Sequence, residues 1–175
     1  RSSDLRTLHE NKISRETAEE LWNMGTKFPY MVVQANGRLY SPAPTSSFQI
    51  FVKNFSEIPG NNFYGVSFYA ASESEAALMA REVNIAWKGR ICAYHNSFCM
   101  DIVAAGVSKG TALRQTKHDL NVDIMAAIGD SYNDLSMLKE ADISFTFPGT
   151  PNEVQANATH IVKSVSEALL LLQSI

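Results

Sequence analysis

Ala126-Ala127-Ile128-Gly129-Asp130-Ser131-Tyr132-Asn133-Asp134 is the stretch on which the reading of this sequence turns. Residues 124–128 form a short apolar run suited to a strand buried on both sides, and 134–139 has the pattern of a helix. Such a strand delivers Gly129 and Asp130 to its carboxyl end, where open α/β sheets bind their ligands. The alternation continues outward. Ser108 caps a helix expected over 109–120, a strand is expected over 143–147, and 161–162 is a last short strand. Thr150, Pro151 and Glu153 mark a helix start with a cap residue, a proline at the first helical position and a glutamate three residues after the cap. Ser164 and Glu167 repeat the capping box before an apolar stretch over 168–172. Helix and strand in strict succession predict an α/β fold, a Rossmann-like doubly wound parallel sheet.

The middle of the chain has another texture. Residues 48–52, 64–70, 90–94 and 98–104 are aromatic and β-branched, with partial alternation, and one helix is expected over 74–83. This predicts a small α+β module with antiparallel strands. Toward the amino end, 4–24 reads as helix, with an interruption near Asn11-Lys12, and Gly25 ends it. Residues 30–33 are an apolar run suited to a buried parallel strand. Asn36-Gly37 is a strong turn signal, 38–40 a return strand, and Ser41-Pro42-Ala43-Pro44 a boundary. The organisation expected is core over 1–40, inserted cap over 41–105, and core again over 106–175.

Composition narrows the function classes. Hydrophobic residues make up 45% and charged residues 19% of 175, as in ordinary globular proteins. A net charge of −3 without a dense Lys/Arg run argues against nucleic acid as partner. No apolar run is long enough to span a bilayer, so no membrane is expected. Cys92 and Cys99 lack a redox or metal spacing and read as buried free thiols, and the cytoplasm is the default address.

Asp130 and Asp134, four apart across a turn into a helix, can face one pocket. Two carboxylates with the carbonyl of Asn133 suit a hard divalent cation, and Mg2+ typically takes one or two carboxylates, waters and phosphate oxygens. The competing reading is a helix cap at Asp134 and a solvated turn residue at Asp130. Lys109 stands at a helix start one parallel crossover away, where its ammonium can offset phosphate charge. Alone it would read as a surface lysine.

Val107-Ser108-Lys109-Gly110-Thr111-Ala112-Leu113 and Gly129-Asp130-Ser131-Tyr132-Asn133-Asp134-Leu135-Ser136-Met137-Leu138 together resemble the third and fourth motifs of the Cof-type branch of the haloacid dehalogenase superfamily. The resemblance implies a phosphatase with Mg2+ as cofactor and a small phosphorylated metabolite as substrate: a sugar phosphate, phosphoglycolate or similar. By that resemblance Lys109 stabilises the transferred phosphoryl group, Asp130 binds the metal, Asp134 binds or supports it, and Asn133 lies near both. Val33-Gln34-Ala35-Asn36-Gly37 is similar to the family's strand ending in Asn-Gly, which adds Asn36 and, beside it, Arg38 as candidate substrate contacts. The expected cap is short for this branch and similar in length to that of the archaeal-type phosphoglycolate phosphatases.

The family's nucleophile and general acid lie in Asp-x-Asp-Gly-Thr. No Asp-x-Asp occurs here: the aspartates are 4, 101, 119, 123, 130, 134 and 142. Arg1-Ser2-Ser3-Asp4-Leu5 looks like the continuation of the phosphate-binding second motif, so the resemblance implies that a preceding segment is needed to complete the core and that this chain alone is inactive. After the fourth motif Ile143-Ser144-Phe145-Thr146-Phe147-Pro148-Gly149 departs from the family's usual loop, which leaves substrate choice open. A phosphomutase, a non-catalytic binding remnant and, more weakly, a flavodoxin-like or receiver domain are the competing functions.

Overall fold

A computed structural model describes residues 7, 9–25 and 27–174. The chain divides into two compact units, 1–105 and 106–175.

In the first unit α1 (Arg15–Gly25) begins after Ser14, whose Oγ accepts the Thr17 N–H at 3.1 Å. The helix expected from residue 4 is corrected: 9–14 is not helical. Ile13 is 2% exposed and donates its N–H to the Phe63 carbonyl at 2.8 Å, so an extended backbone satisfies both its side chain and its amide. Positions 1–6 and 8, with the supposed continuation of the second motif, lie outside the described residues.

The strands β1 (Tyr30–Ala35), β2 (Arg38–Ser41), β3 (Gln49–Phe51), β4 (Phe63–Tyr69), β5 (Ile91–Asn96) and β6 (Cys99–Ala104) form one sheet in the order β3-β2-β1-β4-β6-β5. Helix α2 (Glu73–Ala86) lies between β4 and β5 in sequence, with the Ser72 hydroxyl capping it through the Glu75 N–H. The parallel strand expected at 30–33 is therefore corrected. It is β1, antiparallel to both neighbours, with Val33 opposite Tyr40 on one side and Val66 on the other. Asn36 at φ 52° and Gly37 at φ 70° supply two consecutive left-handed residues, the requirement of a tight hairpin turn, and this fixes the direction of β2. An apolar run reports burial and is silent about strand direction. The boundary expected after residue 40 moves with it, because β1 and β2 share a sheet with β3 to β6.

Alternation sorts the sheet's faces. Met31, Val33, Val66, Phe68, Met100 and Ile102 join Ala18, Leu21 and Trp22 of α1 and Ala80 and Val83 of α2 in one core. The registers put Val32, Ser67 and Asp101 in a row on the opposite face.

The second unit alternates as expected. Helix α3 (Lys109–Leu120), β7 (Ala126–Ile128), α4 (Leu135–Glu140), β8 (Ile143–Thr146), α5 (Asn152–Ala156), β9 (His160–Ile161) and α6 (Val165–Leu172) follow one another, and β7, β8 and β9 are parallel neighbours in that order. The fold is α/β with a Rossmann-like parallel sheet here. Phe145, Val162 and Ala168 form its core, with Ile128, Ile143, Phe147 and Leu172 against them. Ser108 caps α3 by accepting the Thr111 N–H at 3.0 Å, and Thr111 Oγ1 accepts the Ser108 N–H at 2.9 Å. At α5 Pro151 rather than Thr150 holds the cap position, and the Thr150 hydroxyl turns back to the Phe147 carbonyl. The strand expected to be buried on both sides is corrected as well: β7 pairs with β8 alone among the described strands, Ala126 is exposed, and Ile124 before it is 59% exposed.

Candidate active site

Gly129 directly follows β7, and the chain then makes a short 3-10 turn over Tyr132–Asp134 before α4. Glycine is required at this point by space. A Cβ on Gly129 would stand 2.5 Å from Cβ and 2.8 Å from Cγ of Asp134, whose side chain folds back over the end of the strand. There Asp134 Oδ2 accepts the backbone N–H groups of Asp130 at 3.0 Å and Ser131 at 3.1 Å, and the Ser131 hydroxyl at 3.2 Å. Its other oxygen, Oδ1, forms an ion pair with the Lys109 ammonium.

Lys109 is the first residue of α3, and its Nζ also donates to Asn133 Oδ1 at 3.2 Å. The Ser131 hydroxyl stands 2.7 Å from that same Asn133 oxygen. Lys109, Ser131, Asn133 and Asp134 thus form one polar network at the carboxyl end of β7. Two of the three ammonium hydrogens of Lys109 are used in it, and one is left. Burial is the largest single influence on the Asp134 carboxyl and opposes its ionisation. The bonds from Lys109 and from the amides of Asp130 and Ser131 together outweigh it and hold the group below the usual carboxylate range.

Asp130 differs from Asp134 in every respect. Its residue is exposed, and no described residue donates to its carboxylate. For a cation the unit therefore offers the two oxygens of Asp130 and one remaining lone pair on Asp134 Oδ1. No cluster of three or more His, Cys, Asp or Glu occurs among the described residues. Such a set fits an ion that keeps several waters and takes phosphate oxygens, and it does not fit one that needs a closed protein cage.

Asn36 and Arg38 lie in the first unit, on the β1–β2 hairpin. The Asn36 amide donates to the Pro59 carbonyl, which ties the turn to the loop before β4. Arg38 is exposed. The structure groups Lys109, Asn133 and Asp134, with Asp130 joined to them through its own amide; Asn36 and Arg38 belong to the other unit.

A family model of haloacid dehalogenase-like hydrolases matches residues 3–169. The chain belongs to the haloacid dehalogenase-like hydrolases. Solved structures share the fold of this hydrolase. SMU.1108c of Streptococcus mutans is 22% identical with a TM-score of 0.80, and the match covers 97% of this chain and 71% of that one. A haloacid dehalogenase-like hydrolase of B. subtilis is 17% identical over 93% of this chain and 70% of its own, with a TM-score of 0.79. BT4131, described as a subclass IIB sugar phosphatase, is 16% identical over 95% and 70%, with a TM-score of 0.73. No curated sequence is similar enough to count as a match.

Sequence reasoning passed over Ser131, Ser136 and the steric part played by Gly110 and Gly129 in the hydrolase's site. Ser131 had a signal, since Ser-x-x-Asp is the spacing of a reciprocal cap, and that box is formed with Asp134. Gly110 had none, because the atoms that exclude a side chain there come from Ser136 on another helix, whereas at Gly129 they belong to Asp134 of the same motif.

Proposed function

We propose that this chain is the greater part of a Mg2+-dependent phosphatase that hydrolyses a small phosphomonoester by way of an aspartyl-phosphate, with the aspartate supplied by a segment outside this sequence. The observation that carries the reading is the Lys109 ammonium paired with Asp134 and bonded to Asn133, beside the free carboxylate of Asp130. An ammonium held in this way keeps one N–H for a transferring phosphoryl group and offsets its charge without reorganising during the reaction. Asp130 is assigned the metal, and Asp134 chiefly the orientation of Lys109. Bound there, Mg2+ supplies Lewis-acid polarisation of a phosphoryl oxygen. Support for a completing segment comes from the outer edge of β7, which pairs with no described strand, and from the match to only about 70% of the solved relatives.

The sequence has no Asp-x-Asp, and this favours one second reading, a remnant that binds phosphorylated ligands without turnover. A phosphatase panel with Mg2+, starting with p-nitrophenyl phosphate, separates the two. The chain alone is expected to be inactive. Joined to a segment carrying Asp-x-Asp-Gly-Thr it should turn over, and Lys109→Ala should then lower kcat about 100-fold. Metal-dependent turnover by the chain alone would refute the need for a completing segment; a completed protein inert on every ester would favour the remnant. Return of the phosphoryl group to a hexose phosphate would instead indicate a mutase.

A further inference from the structure

We propose that Gly110 is a positioning residue for Lys109: with no side chain, it lets the first turn of α3 seat directly on the backbone of α4, and this seat carries the Lys109 ammonium onto Asp134 and Asn133. Calling these three site residues rests on the reading above; the contact itself does not, and its test reads no turnover.

Gly110 is the one buried residue of α3. Glycine is among the poorest helix formers, and Gly110 is not among the residues of positive φ, so its backbone conformation does not call for it. Space does. A Cβ at Gly110 would lie 2.3 Å from the carbonyl oxygen and 2.7 Å from the carbonyl carbon of Ser136, backbone atoms that cannot swing aside. The contact is also bonded, since the Gly110 N–H donates to Ser136 Oγ at 3.1 Å. That amide is one of the unpaired donors at the start of every helix; here a neighbouring helix satisfies it. Lys109 precedes Gly110 directly, and Asp134 lies two residues before Ser136. A shift of α3 away from α4 therefore separates Lys109 from both of its acceptors. The far end of α3 has its own tie, Lys117 Nζ to Asp142 at 2.7 Å, in which Gly110 takes no part.

Trace acetylation of the chain with acetic anhydride, followed lysine by lysine by mass spectrometry, tests the proposal. Asp134→Asn should raise the Lys109 rate about fivefold, the scale of a partly exposed ion pair. Gly110→Ala should raise it equally while the Lys117 rate stays at the wild-type value, and in the Asp134→Asn background it should add nothing. Ser136→Ala removes only the hydroxyl and should give a smaller rise. An unchanged Lys109 rate in Gly110→Ala overturns the proposal. If Gly110→Ala speeds Lys109 and Lys117 together, alanine has unravelled the helix, and Ser136→Ala decides: Lys109 faster with Lys117 constant supports the seat, and Lys109 unchanged overturns it. Failure of the phosphatase reading would show as an inert completed enzyme with these labelling rates unaltered.

Discussion

Asp134 assigns its two oxygens to different tasks, one to the Lys109 ammonium and the other to three donors of the preceding turn. Its carboxyl titrates below the usual range in the folded chain and near 3.9, roughly, in the unfolded one. The unfolded state therefore binds the proton more readily. The stabilisation is fully present above the unfolded value and is lost as pH falls through the folded one. Urea unfolding between pH 3 and pH 7 should show Asp134→Asn less stable at neutral pH by roughly 1–2 kcal/mol, with Lys109 half exposed and so at the lower end. The gap should narrow as pH falls toward the folded titration; a constant gap across the range would show that the charge of Asp134 is not what matters. At this scale the sequence was half legible. Spacing and the family resemblance put Lys109, Asp130, Asn133 and Asp134 at one site, and the structure bonds their side chains together except that of Asp130. Spacing could not divide the labour of the two aspartates, because which carboxylate folds inward depends on the empty space over Gly129.

Strands and helices in the second unit follow directly from period and capping, and their order was readable. The hairpin of β1 and β2 was readable too, since Asn-Gly specifies its turn, but its membership of the sheet was not. That depends on β4, whose residues pair with β1 from 28 to 39 positions further along the chain and are chosen by matching apolar faces. Across that sheet Ser67 and Asp101 stand opposite each other, and the Ser67 hydroxyl donates to Asp101 Oδ1 at 2.6 Å. The Cys99 thiol donates to the same oxygen at 3.4 Å. Burial first, and then the Asp101 carboxylate, push the Cys99 thiol up to about 12, against smaller opposing bonds from Ser67 and Tyr69. Iodoacetamide at pH 8 should therefore leave Cys99 unmodified in the folded protein, and Asp101→Asn should speed its alkylation at higher pH. Rapid alkylation of wild-type Cys99 would refute that environment. The close approach of α1 to the sheet is a second element-level device: a Cβ on Gly25 would lie 2.1 Å from Met31 Sδ and 2.7 Å from Phe68. Gly25→Ala should cost about 1–3 kcal/mol in thermal unfolding, as overpacking does.

For the molecule as a whole, both units leave large apolar side chains exposed. The first encloses a core between its sheet and two helices, yet Phe48, Phe51 and Ile85 are 82%, 62% and 75% exposed. In the second, Ile124, Val165, Leu169 and Leu170 are 59%, 52%, 55% and 64% exposed, and the edge of β7 has no described neighbour. A surface of this kind marks an interaction site or an aggregation liability. The chain should bind a hydrophobic dye in its folded state, and both Leu169→Lys with Leu170→Lys and addition of a completing segment should weaken that binding; dye binding untouched by either change would locate the exposed surface elsewhere. Among the described residues no helix is long and apolar enough to cross a membrane. The sequence by itself determined the alternation of the second unit, the hairpin turn, and the residue types of the polar network around Asp134, because period, capping and spacing are local properties that any fold must honour. Only the tertiary structure decided which sheet β1 joins, which aspartate is buried, and why positions 110 and 129 carry no side chain. The sheet partner and the bare position 110 depend on atoms brought from elsewhere in the chain, while the burial of Asp134 and the bare position 129 depend on how one short turn closes on itself and on Lys109; excluded volume of either kind leaves no periodic trace in a sequence.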